Sequence, residues 1–519
     1  MPHTDESLPP GGQQPVGTAS GLHADSLVDG VVILLVLTVV QRAAGFVRAI
    51  LFCRWLGPEQ LGEWDMAFAF LMLAAPLMVL SLPGTFGRYV EHYRQRGHFR
   101  AFLRQTALFC TALGALGVAV LCAAPQGFSH LIFGTSEQTE LVVLLGLSLA
   151  AVVAYNYLIS LFTALRNMRL VSGLELANSL VFAVLGIGLL LGRECNAGSV
   201  VMAYGGACLL CSLAALCWLR QAWRAFPDAA DPAPRPAIWA KLLPFTGWIV
   251  LANLLTNLFA VAERYLIVHW APGTPSETLA LVGHYHSSRV VPTLLASLAA
   301  MLGAMLLPHL SHDWEAGRRE RVSAQLNLFL KLLSLAMTGV SAGVLLAAPF
   351  LFDVIFRGKY ADGLAVLPWT LLYCVWLGVA TVAQQYLWCA ERTSRVSLAL
   401  LVGLLVNVAT GLVLLPRLGL PGAVLAASAA NLVSLVLILW FSRRLGFHFD
   451  RGLWIVLAAP VSLCLGPWIT LMVLAAVALE GFNSDRLLSA EEKRRLAAGY
   501  AEYASRLRKL RWVQSVVGE

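Results

Sequence analysis

Charged side chains are scarce in this sequence. Asp, Glu, Lys and Arg make up 13% of its 519 residues while hydrophobic residues reach 58%, with a mean hydropathy of +0.73. A soluble domain runs at about 25% charged and about 45–50% apolar, so a water-soluble globular fold is excluded. No Walker loop, H-E-x-x-H or G-x-S-x-G occurs, and the longest connection between apolar runs, 224–241, is too short for a catalytic domain. No catalytic residue and no cofactor is assigned. The ten cysteines show no paired spacing of a disulfide or metal framework. Their single C-x-x-C, Cys208 and Cys211, lies i, i+3 on an apolar helix and reads as small-residue packing, so no metal is expected. The first 26 residues lack Lys and Arg, unlike the basic start of a signal peptide. Rich in Pro, Gly and polar residues, they are expected to form a disordered cytoplasmic tail.

What the sequence does have is twelve apolar runs, near 27–49, 64–82, 105–125, 139–162, 173–192, 199–219, 245–268, 282–307, 326–349, 365–389, 396–415 and 421–441. Each approaches the roughly 20 residues that cross about 30 Å of hydrocarbon as a helix. The runs do not alternate as barrel strands would, so the expected fold is an all-α polytopic membrane protein. Loops on one side carry nineteen Lys and Arg, among them Arg88, Arg94, Arg166, Arg220, Arg318, Arg392 and Arg443; the other side carries five, Arg54, Arg193, Arg357, Lys359 and Arg417. The richer side is cytoplasmic by the positive-inside rule, and the N-terminus with it. The net charge of +8 is largely this topology signal, so no nucleic-acid partner is expected.

The Pro- and Ala-rich stretch 224–241 divides six runs from six, giving an N-terminal lobe over 27–223, a cytoplasmic linker and a C-terminal lobe over 242–445. The halves echo one another: VLCAAPQGFSHLIFG (120–134) and VLLAAPFLFDVIFRG (344–358) align without gaps and share seven of fifteen positions, from Val120/Val344 to Gly134/Gly358. An even number of runs separates them, so the repeat is parallel, with a pseudo-twofold axis along the membrane normal and a cavity expected between two six-helix lobes. Residues 446–480 hold one apolar run broken at Gly466 and Pro467, either a single span or a hairpin of two short helices, for 12–14 transmembrane helices in all. The basic segment 481–519 favours the hairpin and a cytoplasmic helical tail.

With no large loops, the functional signal lies in polar residues at bilayer depth, each of which costs several kcal/mol unless it faces protein or a wet cavity. On the seventh run, Asn253, Asn257 and Arg264 fall within about 40° of one another at 100° per residue, flanked by Thr256 and by Glu263, a neighbour able to offset the arginine's charge. The eighth run places His286, Arg289 and Thr293 at i, i+3 and i+7. On the first, Gln41 and Arg48 share a face, and Arg42 points about 120° away from Arg48. Arg48 at a helix end can also be read as snorkelling to the interface, and Glu263 with Arg264 as a structural ion pair. Arginine forks make paired hydrogen bonds to phosphate oxygens and stay protonated when desolvated. Arg48, Arg264 and Arg289 on three helices therefore point to an anionic, phosphorylated cargo.

The segment GFVRAILFCRWLGPEQLGEWDMAFAF (45–70), the ERY of the seventh run, the GHYHSSR opening of the eighth and APFLFDVIFRGKYADGLAVL resemble the polysaccharide and oligosaccharide-lipid flippases of the multidrug/oligosaccharidyl-lipid/polysaccharide exporter superfamily, over about residues 27–440. The resemblance implies two six-helix lobes around a V-shaped cavity and alternating access. It implies export of an undecaprenyl-diphosphate-linked oligosaccharide across the bacterial inner membrane, the three arginines gripping the diphosphate and the lipid tail staying in the bilayer. It also implies a monomer, working beside polysaccharide polymerase or glycosyltransferases. The seventh run has Glu-Arg where many relatives carry Asp-Arg. A peptidoglycan-precursor lipid flippase or a cation-coupled multidrug exporter of the same fold is the alternative. The sequence leaves open whether H+, Na+ or no cation is coupled.

Overall fold

Lipid offers no partner to backbone N–H and C=O groups, so an apolar run satisfies them internally, as helix. The computed structural model describes residues 27–192, 195–223, 235–484, 487 and 492–494. The expected disordered tail 1–26, the linker up to residue 234 and most of the basic tail 481–519 lie outside the described residues.

The first half runs α1 (Leu27–Trp55), α2 (Pro58–Met78), α3 (Phe86–Gln95), α4 (Phe99–Ala123), α5 (Pro125–Phe133), α6 (Thr139–Ala164), α7 (Met168–Gly192) and α8 (Ala197–Ala222). The second runs α9 (Arg235–Trp270), α10 (Pro275–Glu315), α11 (Arg319–Pro349), α12 (Ala361–Cys389), α13 (Thr393–Leu418) and α14 (Leu420–Arg444), followed by short α15 (Arg451–Ala458) and α16 (Pro467–Asn483). Twelve described helices are long and apolar enough to cross a membrane, one over each of the twelve runs. The chain is a multi-pass, all-helical membrane protein.

The two halves pack alike. In the first, α1 lies on α7, α2 on α6, α4 on α6, and α8 on both α6 and α7; in the second, α9 lies on α13, α10 on α12, α11 on α12, and α14 on both α12 and α13. Each of these first-lobe pairs has its counterpart six spans later, as a parallel repeat requires. The repeated segments end alike, in glycines of left-handed backbone, Gly134 (φ +72) and Gly358 (φ +69). They differ at the shared proline: Pro125 opens α5, whereas α11 runs through to Pro349 and continues as a π-helical turn, Phe350–Ile355.

The lobes meet most closely at the end the arginine count assigns to the outside. There α2 crosses α10 so tightly that a Cβ on Gly62 would overlap the Leu279 carbonyl, and one on Gly283 the Pro58 carbonyl. Only glycine allows backbone to approach backbone this closely. Beside this seam, Lys359 Nζ of the second lobe donates to the last two carbonyls of α1, Arg54 O at 3.0 Å and Trp55 O at 3.3 Å, and to Leu56 O just beyond it at 3.2 Å. The Tyr360 hydroxyl adds a bond to Leu56 O at 3.1 Å. An ammonium at a helix C-terminus meets both its unpaired carbonyls and the negative end of its dipole.

Beyond α14, α15 and a 3-10 continuation (Ala459–Leu465) lead to a turn at Gly466 (φ +108) and back through α16. The segment returns to its start: Gly452 abuts the Leu487 backbone. The buried Lys331 ammonium of α11 binds Leu487 O at 2.8 Å, the Asp450 carboxylate at 2.5 Å and Glu492 at 2.9 Å. The apolar run 453–479 is therefore a hairpin of two short arms, with both ends held on one buried cation.

Candidate functional site

One turn below the glycine seam, the same two helices change from small residues to charge. Asp65 follows Gly62 by three positions on α2, and His286 and Arg289 follow Gly283 by three and six on α10, so all point toward one gap between the lobes. Arg264 enters from α9 and Arg48 from α1. Together with Gln41, Arg42, Ser179 and Thr293 they line a single cavity of about 540 Å³.

Each charge in the cavity is held differently. Asp65 is 1% exposed and Arg264 6%, and their ion pair measures 3.0 Å between Oδ2 and Nε. His286 Nδ1 lies 2.8 Å from the other Asp65 oxygen. Arg48 belongs to the first lobe's wall: it donates to Ser179 O at 3.2 Å and Ser179 Oγ at 3.4 Å, with its guanidinium 4.1 Å from the centre of the Phe182 ring. Arg289 lies 5.0 Å over Tyr285, whose hydroxyl is fixed by Tyr373 at 3.2 Å. Arg264 Nη1 and Arg289 Nε are buried without a hydrogen-bond acceptor, while Arg264 Nε meets Asp65 Oδ2 at 3.0 Å without hydrogen-bond alignment. Buried donors left unpaired cost about 1–3 kcal/mol each, and here they border a cavity with room for an anion.

Of the residues singled out from sequence, Gln41, Arg48, Arg264, Arg289 and His286 line this cavity, and Asn253, Asn257 and Glu263 do not. Asn257 lies seven residues before Arg264, about 10 Å along the helix, and Asn253 a further turn away; the α9 lining begins at Ala260. Glu263 is one position from Arg264 and so about 100° around the helix. It turns from the cavity and accepts a 2.9 Å bond from Asn407 Nδ2 of α13. The carboxylate beside Arg264 is Asp65, which sequence reasoning passed over. A signal existed in Glu63 and Asp65, two acids inside an apolar run, but they point apart, Glu63 accepting from Gln138 at 2.6 Å. Arg42, read as pointing elsewhere, reaches the lining too.

The opposite faces of α2 and α9 line a second space. Phe70, Leu73, Ala74 and Leu77 with Leu258, Val261 and Tyr265 enclose an apolar cleft of about 830 Å³, completed by α4 and α13. The α2 and α9 pair is thus a partition, arginines on one face and hydrocarbon on the other.

A family model described as polysaccharide biosynthesis protein matches residues 27–314, more than half of the chain and every helix that lines the arginine cavity. The chain belongs to the polysaccharide biosynthesis protein family. A second model, lipid II flippase MurJ, matches residues 277–487. Among curated proteins, this family member is 23% identical over 427 residues to the uncharacterized membrane protein YabM of Bacillus subtilis (strain 168), covering 77% of each chain. Among solved structures, it is similar to the inward closed conformation of lipid II flippase MurJ, with a TM-score of 0.62 at 13% identity over 86% of this chain and 98% of that one. It is equally similar in fold to an inward-facing multidrug resistance MATE family transporter of the MOP superfamily, with a TM-score of 0.62 at 12% identity over 79% and 97%. Family and fold together make it a multi-pass membrane protein of the polysaccharide biosynthesis protein family, with the fold that those two transport proteins share.

Proposed function

We propose that this transporter flips an undecaprenyl-diphosphate-linked oligosaccharide from the cytoplasmic to the outer leaflet of the bacterial inner membrane by alternating access. The observation that carries the reading is the cavity: Arg42, Arg48, Arg264 and Arg289 line it against one carboxylate, Asp65. A diphosphate supplies the missing negative charge, and the unpaired donors of Arg264 and Arg289 are the fork chemistry that phosphate oxygens accept. The apolar cleft behind α2 and α9 offers the lipid tail a hydrocarbon path beside the headgroup. In this orientation the N-terminus is cytoplasmic and the glycine seam closes the outer end, so the cavity loads from the cytoplasm. Such a carrier does no covalent chemistry and is not an enzyme. Polysaccharide polymerase or glycosyltransferases would act before and after it.

The match of residues 277–487 to the lipid II flippase model favours, as second reading, a peptidoglycan-precursor lipid; that cargo is also a prenyl diphosphate and uses the same arginines. A cation-coupled multidrug exporter fits poorly, because it would want an acidic lumen and four arginines line this one against a single carboxylate.

Replacing Arg264 or Arg289 with Ala removes charge-assisted bonds of about 1.5–3 kcal/mol each. Flipping of a lipid-linked oligosaccharide in reconstituted vesicles should fall by about ten- to a hundredfold, with membrane insertion intact. Unchanged flipping by both variants would reject the reading. A preference for lipid II in the same assay would select the second one.

A further inference from the structure

Asp65 belongs to the first lobe, whereas both of its close partners, Arg264 and His286, belong to the second. The pair is thus a tie between lobes, one turn beneath the seam where they close. It is also an imperfect pair. The Asp65 and Arg264 atoms approach to 3.0 Å, yet neither Asp65 Oδ2 nor Arg264 Nε makes an aligned hydrogen bond, and Arg264 Nη1 and Arg289 Nε have no acceptor. A carboxylate fully matched to Arg264 would take its fork with two parallel bonds. This one leaves the arginine half-used at the wall of the cavity. The groups around Asp65 are Arg264 of α9 and His286 and Arg289 of α10; the remaining cavity cations, Arg42 and Arg48, sit on α1.

We propose that Asp65 is an internal stand-in for phosphate: it occupies Arg264, beside the unengaged Arg289, and ties the lobes together when the cavity is empty, and the diphosphate of the substrate displaces it. The proposal rests on the anion-binding reading above and adds a coupling step to it. A diphosphate that takes Arg264 and Arg289 with better-directed oxygens leaves Asp65 without its partner and cuts the tie under the seam. Binding thereby loosens the outer closure. On release the carboxylate retakes Arg264 and the lobes close without cargo. A ligand moves such an equilibrium only by its different affinity for the two states, and Asp65 creates that difference by competing in one of them.

The test uses the full-length protein in lipid nanodiscs, with inorganic pyrophosphate and geranylgeranyl diphosphate as probes. If the Asp65-engaged state dominates the empty protein, it taxes affinity by its population ratio. Asp65→Asn should therefore bind both probes about tenfold tighter or more, while flipping the lipid-linked substrate more slowly. Cys53 gives a second readout, because it is buried on α1 next to the Arg54, Trp55 and Leu56 carbonyls that Lys359 holds at the seam. In a chain with the other nine cysteines replaced by Ser, its labelling by a water-soluble maleimide should rise on adding pyrophosphate to the parent. In Asp65→Asn it should already be high without anion. Should Asp65→Asn lose its fold in detergent, pyrophosphate but not chloride should restore it. Equal or weaker binding by Asp65→Asn, labelling like the parent's, or no rescue overturns the proposal. An Arg264→Ala control separates the two levels: if it binds pyrophosphate as well as the parent, the anion reading has failed; if its binding is lost and Asp65→Asn is no tighter, only the role of Asp65 has.

Discussion

At the scale of single residues, helix geometry decides which charges meet. Glu263 and Arg264 are adjacent in sequence and read as a pair, yet 100° of rotation sends one to Asn407 and the other to the cavity. Asn407→Ala should leave the buried Glu263 carboxylate without its donor and cost about 1–3 kcal/mol. That loss reads out as a lower melting temperature in detergent, with pyrophosphate affinity unchanged. Five of the eight expected site residues line the cavity because intramembrane arginine, histidine and glutamine are expensive enough to stand out against an apolar background. Asp65 stayed hidden for the opposite reason: its partners are some 200 positions away on other helices, and no local pattern encodes a long-range ion pair.

At the scale of elements, hydropathy made the spans readable and polar ends hid their lengths. The eighth span was expected over 282–307, but α10 extends over Pro275–Glu315, with a Thr274 capping box at its start and His312 in its last turn. Ser276, Glu277 and Thr278 before the run and His309, Ser311 and Asp313 after it interrupt the apolar pattern without ending the helix. Likewise the last seven residues of the expected linker 224–241 are helix, since α9 starts at Arg235 with proline in its first turn, where a missing N–H costs nothing. The capping of α1 by Lys359 was equally invisible, as it joins residues 300 apart. Lys359→Ala removes an ammonium shared by three carbonyls, a loss of about 1.5–3 kcal/mol for bonds to a charged group. Maleimide labelling of Cys53, in the chain lacking its other cysteines, should rise by about ten- to a hundredfold, without change in the arginine cavity itself.

At the scale of the whole molecule, two similar lobes enclose one charged cavity, and the closure above it is made by main chain. Gly62 and Gly283 bring α2 and α10 backbones into contact with no side chain between them. A plug of side chains flickers as rotamers exchange within nanoseconds; a plug of backbone opens only when whole lobes move, on microsecond or slower scales. The consequence is electrical. Cells overproducing this protein should hold their transmembrane voltage, because ions find no transient wire through the resting carrier. Gly283→Ala, whose methyl group has nowhere to go, should wedge the helices apart and let a voltage-sensitive dye report the leak.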